Sequence, residues 1–260
     1  MFTNWHRPLL VNTLLLFGLA LVAAAGIFLD DRTLLGEPLW LKPMKFGLAF
    51  GVYSGTLSWV LSTLTRARKF GWWMGTVFAV AAFAEVGAIT FQAARGTFSH
   101  FNTSTDSITL LATQIFTNGV AVLFLVQLAI VTLVLFQRDG DRALKRAVRA
   151  GLALATVGMI LPVYWLATEV NQRTVVDANG QEIVMYQGHD IGESGDFRVP
   201  HFIGLHGIQV LLLVVFALRR VDERLRARLV LVAAIGYTVL LAVAIWQTSR
   251  GRSLVQLVLP

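Results

Sequence analysis

Along this chain the polar residues retreat to short intervals. Between them run seven apolar stretches, approximately 8–29, 43–64, 71–94, 107–136, 146–168, 200–218 and 227–248. About 20 apolar residues in a helix cross the hydrocarbon layer of a bilayer. Lipid offers a backbone no hydrogen bonds, so a spanning segment must satisfy its own, as a helix does. The pattern predicts an all-α polytopic membrane protein, a single domain of seven transmembrane helices over residues 1–260. The first run is too long for a signal peptide and lacks a small-residue cleavage site, so a retained helix is expected there.

Composition agrees: 56% of residues are hydrophobic, only 14% are charged, and the mean hydropathy is +0.67. A soluble domain carries about 25% charged residues. The net charge of +7 would suit a nucleic-acid partner, but the placement of the basic residues explains it differently. Thirteen of the 22 fall in three short intervals: Arg66, Arg68 and Lys69; Arg138, Arg142, Lys145, Arg146 and Arg149; Arg219, Arg220, Arg224, Arg226 and Arg228. Short basic loops stay in the cytoplasm. These join helices 2–3, 4–5 and 6–7, so they agree on a cytoplasmic N-terminus and an extracytoplasmic C-terminus. With no cysteine, disulfides, thiolate metal sites and cysteine nucleophiles are excluded.

The one long interval, 169–199, lies outside by this count and carries six acids against two arginines. Within it Thr174-Val175-Val176 and Glu182-Ile183-Val184 flank Asn179-Gly180, a type I′ turn signal, so a small extracytoplasmic β-hairpin is expected as a cap. Two segments also echo each other. Pro43-Met44-Lys45-Phe46-Gly47 resembles Pro200-His201-Phe202-Ile203-Gly204, and Gln92-Ala93-Ala94-Arg95-Gly96 resembles Gln247-Thr248-Ser249-Arg250-Gly251. Three helices, a linker helix and three more, in a 3+1+3 parallel repeat, would produce this.

An ionisable residue inside a span is a functional candidate. Glu85 alone sits at mid-depth; with Gln92 and Arg95 it marks one polar face of helix 3. Helix 4 carries a second polar patch, Gln114, Thr117 and Asn118, of the kind that joins helices in lipid. Lys42, Lys45, Arg95, His100, Asp196, Arg198, His201, His206 and Arg250 all gather near the outer face. His201 and His206 lie about 140° apart around their helix, so a metal shared by His100 and His206 from different helices is the better pairing, with His201 supporting. Gly204 and Gly207 would leave room beside His206 for a flat ring. No lysine on helix 7 could hold a retinal, and no Walker A, H-E-x-x-H or G-x-G-x-x-G pattern occurs.

Lys42-Pro43-Met44-Lys45-Phe46, Arg95-Gly96-Thr97-Phe98-Ser99-His100-Phe101-Asn102, Gly195-Asp196-Phe197-Arg198-Val199-Pro200-His201-Phe202 with His206, and Trp246-Gln247 with Arg250-Gly251 together resemble an uncharacterised bacterial family of multi-helix membrane proteins. The resemblance covers nearly the whole chain. It implies a bacterial cytoplasmic (inner) membrane and carries no activity with it. Three readings stay open. The first is a protein holding haem b or a transition metal through His100, His206 and His201. In it Lys42, Lys45, Arg95, Arg198 and Arg250 bind anionic groups, and Glu85 and Gln92 handle protons or orient a small, quinone-like substrate. The second is a transporter or receptor for a small anionic molecule, and the third a metal-dependent lipid-headgroup hydrolase.

A reporter that works only in the cytoplasm should be silent when fused to the C-terminus and active in the 66–69 interval; the reverse result would invert the topology.

Overall fold

The computed structural model describes residues 5–34, 36–100, 102, 104–168, 172–176, 182–186 and 198–251. Its helices are α1 (Arg7–Leu29), α2 (Leu41–Ser62), α3 (Arg68–Ala94), α4 (Ser107–Leu135), α5 (Arg142–Thr168), α6 (Arg198–Ala217) and α7 (Glu223–Ser249). Two short strands, β1 (Thr33–Leu34) and β2 (Glu37–Pro38), pair antiparallel between α1 and α2. Two more, β3 (Gln172–Val176) and β4 (Glu182–Tyr186), form a two-stranded sheet between α5 and α6. The Asn179-Gly180 turn expected to join them lies outside the described residues.

All seven helices are present, and six of them are long and apolar enough to cross a membrane, with mean hydropathies from 1.6 to 2.5. This is the architecture of a multi-pass membrane protein. The exception among the expected spans is α2. At 22 residues it is long enough, but it places Lys42 and Lys45 in its first turns and then Ser54, Thr56 and Ser58 along its length. Its small and hydroxylated residues face neighbouring helices, where an apolar side chain is not needed.

The helices divide into two compact units, with the boundary at Leu133 near the end of α4. In the first, α2 lays a glycine stripe on α1. A Cβ on Gly47 would come within 2.9 Å of the Leu16 carbonyl oxygen, and one on Gly51 within 2.5 Å of the Phe17 ring. Such small residues let helix backbones approach in lipid, where apolar burial gives no preference for a neighbouring helix over an acyl chain. Asn12 Nδ2 donates to Ser54 Oγ at 2.9 Å across the same contact.

His6 ties the start of α1 to both of its neighbours. Its Nδ1 accepts from Leu9 N at 3.2 Å, capping α1, and Nε2 lies 2.8 Å from the Trp72 carbonyl of α3. A backbone N–H can only donate, so Nδ1 is the acceptor and the proton sits on Nε2. Ser58 Oγ of α2 donates to the His6 carbonyl at 3.0 Å. At the other end of α1, Asp30 accepts from Arg32 and from Trp40 Nε1 (2.8 Å), which folds the β1–β2 connection back onto the helix end.

In the second unit α5 and α6 meet at their backbones. A Cβ on Gly204 would sit 2.7 Å from Gly158 Cα, and Ile208 fills the space over Gly151. His201 Nδ1 lies 2.7 Å from the Gly158 carbonyl, and Tyr237 Oη of α7 donates to the Ile203 carbonyl at 2.8 Å. Asp141 accepts from Leu144 N at the start of α5 and pairs with Arg226 at 2.6 Å.

Gly204→Ala should lower stability by about 1–3 kcal/mol, the usual cost of overpacking, read as a drop in melting temperature in detergent. Gly236→Ala, with nothing within 4 Å of the added Cβ, should leave it unchanged or raise it. Equal effects would refute the backbone contact.

Candidate functional site

Helix α3 lines up Glu85, Gln92 and Arg95, seven and three residues apart, on one face. After Arg95 the chain turns through Gly96, whose φ of 76° suits a residue without a Cβ. The segment then folds back along α3 and enters α4. Asn102 holds this return by donating to Thr97 Oγ1 and the Phe98 carbonyl, both at 2.9 Å, while its Oδ1 accepts from Ser104 N.

The C-terminal part of the stripe is a clasp. Gln92 is 0% exposed; its Oε1 accepts from Arg95 Nη1 at 2.7 Å, and its Nε2 reaches Phe98 O and Thr109 Oγ1 at 3.4 Å. Arg95 also reaches Thr109 Oγ1 at 3.2 Å and pairs with Asp106 at 3.0 Å. Asp106 caps α4 through Thr109 N. Hydrogen bonds from Thr109 and Ser104 hold its carboxyl well below the usual carboxylate range, and Arg95 adds a smaller share. The guanidinium expected to bind an anionic ligand thus already has its anion in the protein.

The mid-helix part is different. Glu85 is 2% exposed. Its Oε1 lies 3.5 Å from His100 Nε2, while Oε2 has no hydrogen-bond partner among the described residues. Oε2 faces Gly119 of α4, where a Cβ would come within 2.6 Å of it. Gly119 also lines a groove of about 320 Å³ between α3 and α4, together with Gln114 and Asn118 of the second polar patch. The His100 ring stacks on Phe116 at 4.2 Å between centroids. Its Nδ1 lies 3.2 Å from Ser99 Oγ and 3.4 Å from Lys42 Nζ. Hydroxyl and ammonium are the donors there, which directs the Nε2 proton towards Glu85. Burial, and then the charge of Lys42, push His100 well below the ordinary histidine range. Lysine, imidazole and carboxylate form one line from the helix end towards mid-depth.

The structure therefore brings Lys42, Glu85, Gln92, Arg95 and His100 together in the first unit. Lys45 stands exposed one turn along α2 from Lys42. Arg198, His201, His206 and Arg250 belong to the second unit. Arg198 begins α6, and Arg250 ends α7 with its guanidinium 5.0 Å from the Trp246 ring. The His206 ring stacks parallel to Phe202. The room expected beside it is filled: Gly204 packs on Gly158, and Gly207 on Leu154 and Tyr237. Both glycines serve helix packing and do not admit a ring. Among the described residues no three His, Asp or Glu side chains converge as a metal centre requires. Asp196 lies outside the described residues.

Sequence reasoning missed Asp106, Thr109, Phe116 and Gly119. Asp106 before Ser107 carries a readable helix-cap signal; Phe116 and Gly119 carry none, because their roles depend on which face of α4 meets α3. Comparison of the chain with family models, curated proteins and solved structures finds no match in any of the three. The functional reading rests on the site.

His100 is neutral when folded and titrates higher when unfolded, so the unfolded chain binds the extra proton as pH falls below about 6.5. Stability should be full above that pH and be lost as pH falls towards the lower folded pKa. In His100→Gln the drop in melting temperature between pH 7 and pH 5 should shrink; an unchanged drop would assign it elsewhere.

Proposed function

We propose that this chain is a multi-pass protein of a bacterial cytoplasmic membrane that binds a small anionic solute and exchanges a proton with it, as a transporter or receptor. Lys42 and Lys45 attract the solute at the helix ends, and His100 passes a proton between that end and Glu85. The observation that carries this reading is the buried Glu85 carboxylate, with one oxygen at His100 and the other unpartnered. A carboxylate at the centre of a spanning helix costs about 2.5–3.5 kcal/mol to insert. The Gln92–Arg95–Asp106 clasp is then the brace that fixes the α3–α4 return and so places His100.

The 3+1+3 repeat belongs to the same proposal, and each unit supports it from within. Pro43 and Pro200 both precede by four residues a glycine that packs on the backbone of the preceding helix, Gly47 on α1 and Gly204 on α5. Both α3 and α7 end Arg-Gly, with φ of 76° at Gly96 and 71° at Gly251.

In proteoliposomes carrying an internal pH dye, small carboxylate and phosphate anions should drive proton movement with the wild type. Glu85→Gln should abolish that movement while leaving anion binding within about twofold, since the solute is held by Lys42 and Lys45. Identical traces from the two proteins would end this reading. A Soret band in the purified wild type, lost in His206→Ala, would replace it with haem binding.

A further inference from the structure

The first unit contains a second cavity, unrelated to the Glu85 cluster. It is a groove of about 870 Å³ between α1 and α3, with Leu61 and Ser62 of α2 at one side. That volume falls in the range of small-molecule sites, about 300–1,000 Å³. Its α3 wall is built by Arg68, Trp72, Thr76, Ala79, Val80 and Phe83, which recur three and four residues apart and so form one stripe. From the first to the last the stripe runs about 22 Å at 1.5 Å per residue. On α1 the facing wall carries Val11 and Leu15. Both walls belong to helices apolar enough to cross a membrane, so the groove opens sideways into lipid.

The groove is apolar along its length and basic at one end. Arg7 begins α1 and Arg68 begins α3; both line the mouth and both are exposed. Neither has an acidic partner among the described residues, and the first turns of α1 and α3 hold no acid. Trp5 and Trp72 stand at the same end, as indoles do at a headgroup boundary. Asn12, one turn deeper than Arg7, also lines the groove. It is 3% exposed, its Nδ2 is spent on Ser54, and its Oδ1 accepts no hydrogen bond among the described residues. The site thus lacks an anion at its mouth and a long apolar body beyond.

We infer that this groove holds a phospholipid with an anionic headgroup. The phosphate sits between Arg7 and Arg68, and one acyl chain lies along the Val80 and Phe83 wall. Lipid chemistry is favoured over a soluble anion because a soluble anion leaves the apolar wall unused. It is favoured over a partner helix because a partner helix would not answer the two arginines. Basic pockets between spanning helices on the cytoplasmic side are where anionic headgroups bind, and the positive-inside count puts Arg7 and Arg68 on that side.

The test uses the full chain in nanodiscs of equal phosphatidylglycerol and phosphatidylcholine, extracted into mild detergent and weighed by native mass spectrometry. The wild type should retain phosphatidylglycerol over phosphatidylcholine by roughly tenfold or more, since two arginines contribute. Arg7→Gln/Arg68→Gln should lose the preference. Val80→Trp, at a position 66% exposed, should lose the bound lipid by filling the groove while melting at the wild-type temperature. Arg219→Gln/Arg220→Gln, which removes equal charge from another helix end, should behave as the wild type. Equal retention of the two lipids by the wild type, or equal loss in both double variants, would overturn the inference. So would a co-purified protein in place of lipid. None of these outcomes touches Glu85, so this inference and the proton-exchange reading fail separately.

Discussion

In hydrocarbon, leucine gains nothing by leaving lipid for another leucine, so helices associate where backbones can touch. That constraint organises both units. Gly47 and Gly51 bring α2 onto α1, and Gly158 and Gly204 bring α6 onto α5 closely enough that His201 reaches a carbonyl on the opposite helix. Once these pairs are fixed, the third helix of each unit is held by a few directional bonds, from His6 to Trp72 in one and from Tyr237 to Ile203 in the other. Asn12, Ser58, His201 and Tyr237 each reach a partner one helix away across these seams.

Glycine also decides the chemistry. Gly119 leaves the space into which the second oxygen of Glu85 points, and Gly96 lets the chain reverse so that His100 returns to the level of a residue fifteen positions earlier. The Arg95–Asp106 pair then locks the return. The two ends of one helical stripe thus take opposite roles, the C-terminal end closed by its own counter-ions and the mid-helix end left, among the described residues, with an unspent acceptor.

The helices were legible because unbroken apolar runs have few other uses. Helix α2 is the one expected span that falls short in apolarity, because serine and glycine line its contacts with α1. The stripe of Glu85, Gln92 and Arg95 was legible from its spacing on a single helix. The pairing of Glu85 with His100 was not, because it depends on a loop reversing direction, and hydropathy holds no record of loop geometry. Gly204 and Gly207 were misassigned for a related reason. A glycine announces that something comes close but not what, and here it is α5 and Tyr237.

The His6 cap bears on how the protein is made. Its ring bonds α1 to the carbonyl of Trp72, and its backbone bonds to Ser58. A ribosome delivers those partners only after more than fifty further residues have been threaded into the membrane. Until then α1 waits in the translocon's neighbourhood with its amino end untied. The first unit therefore closes in two steps, α2 bringing Ser58 and its glycine contacts first and α3 bringing the Trp72 carbonyl last.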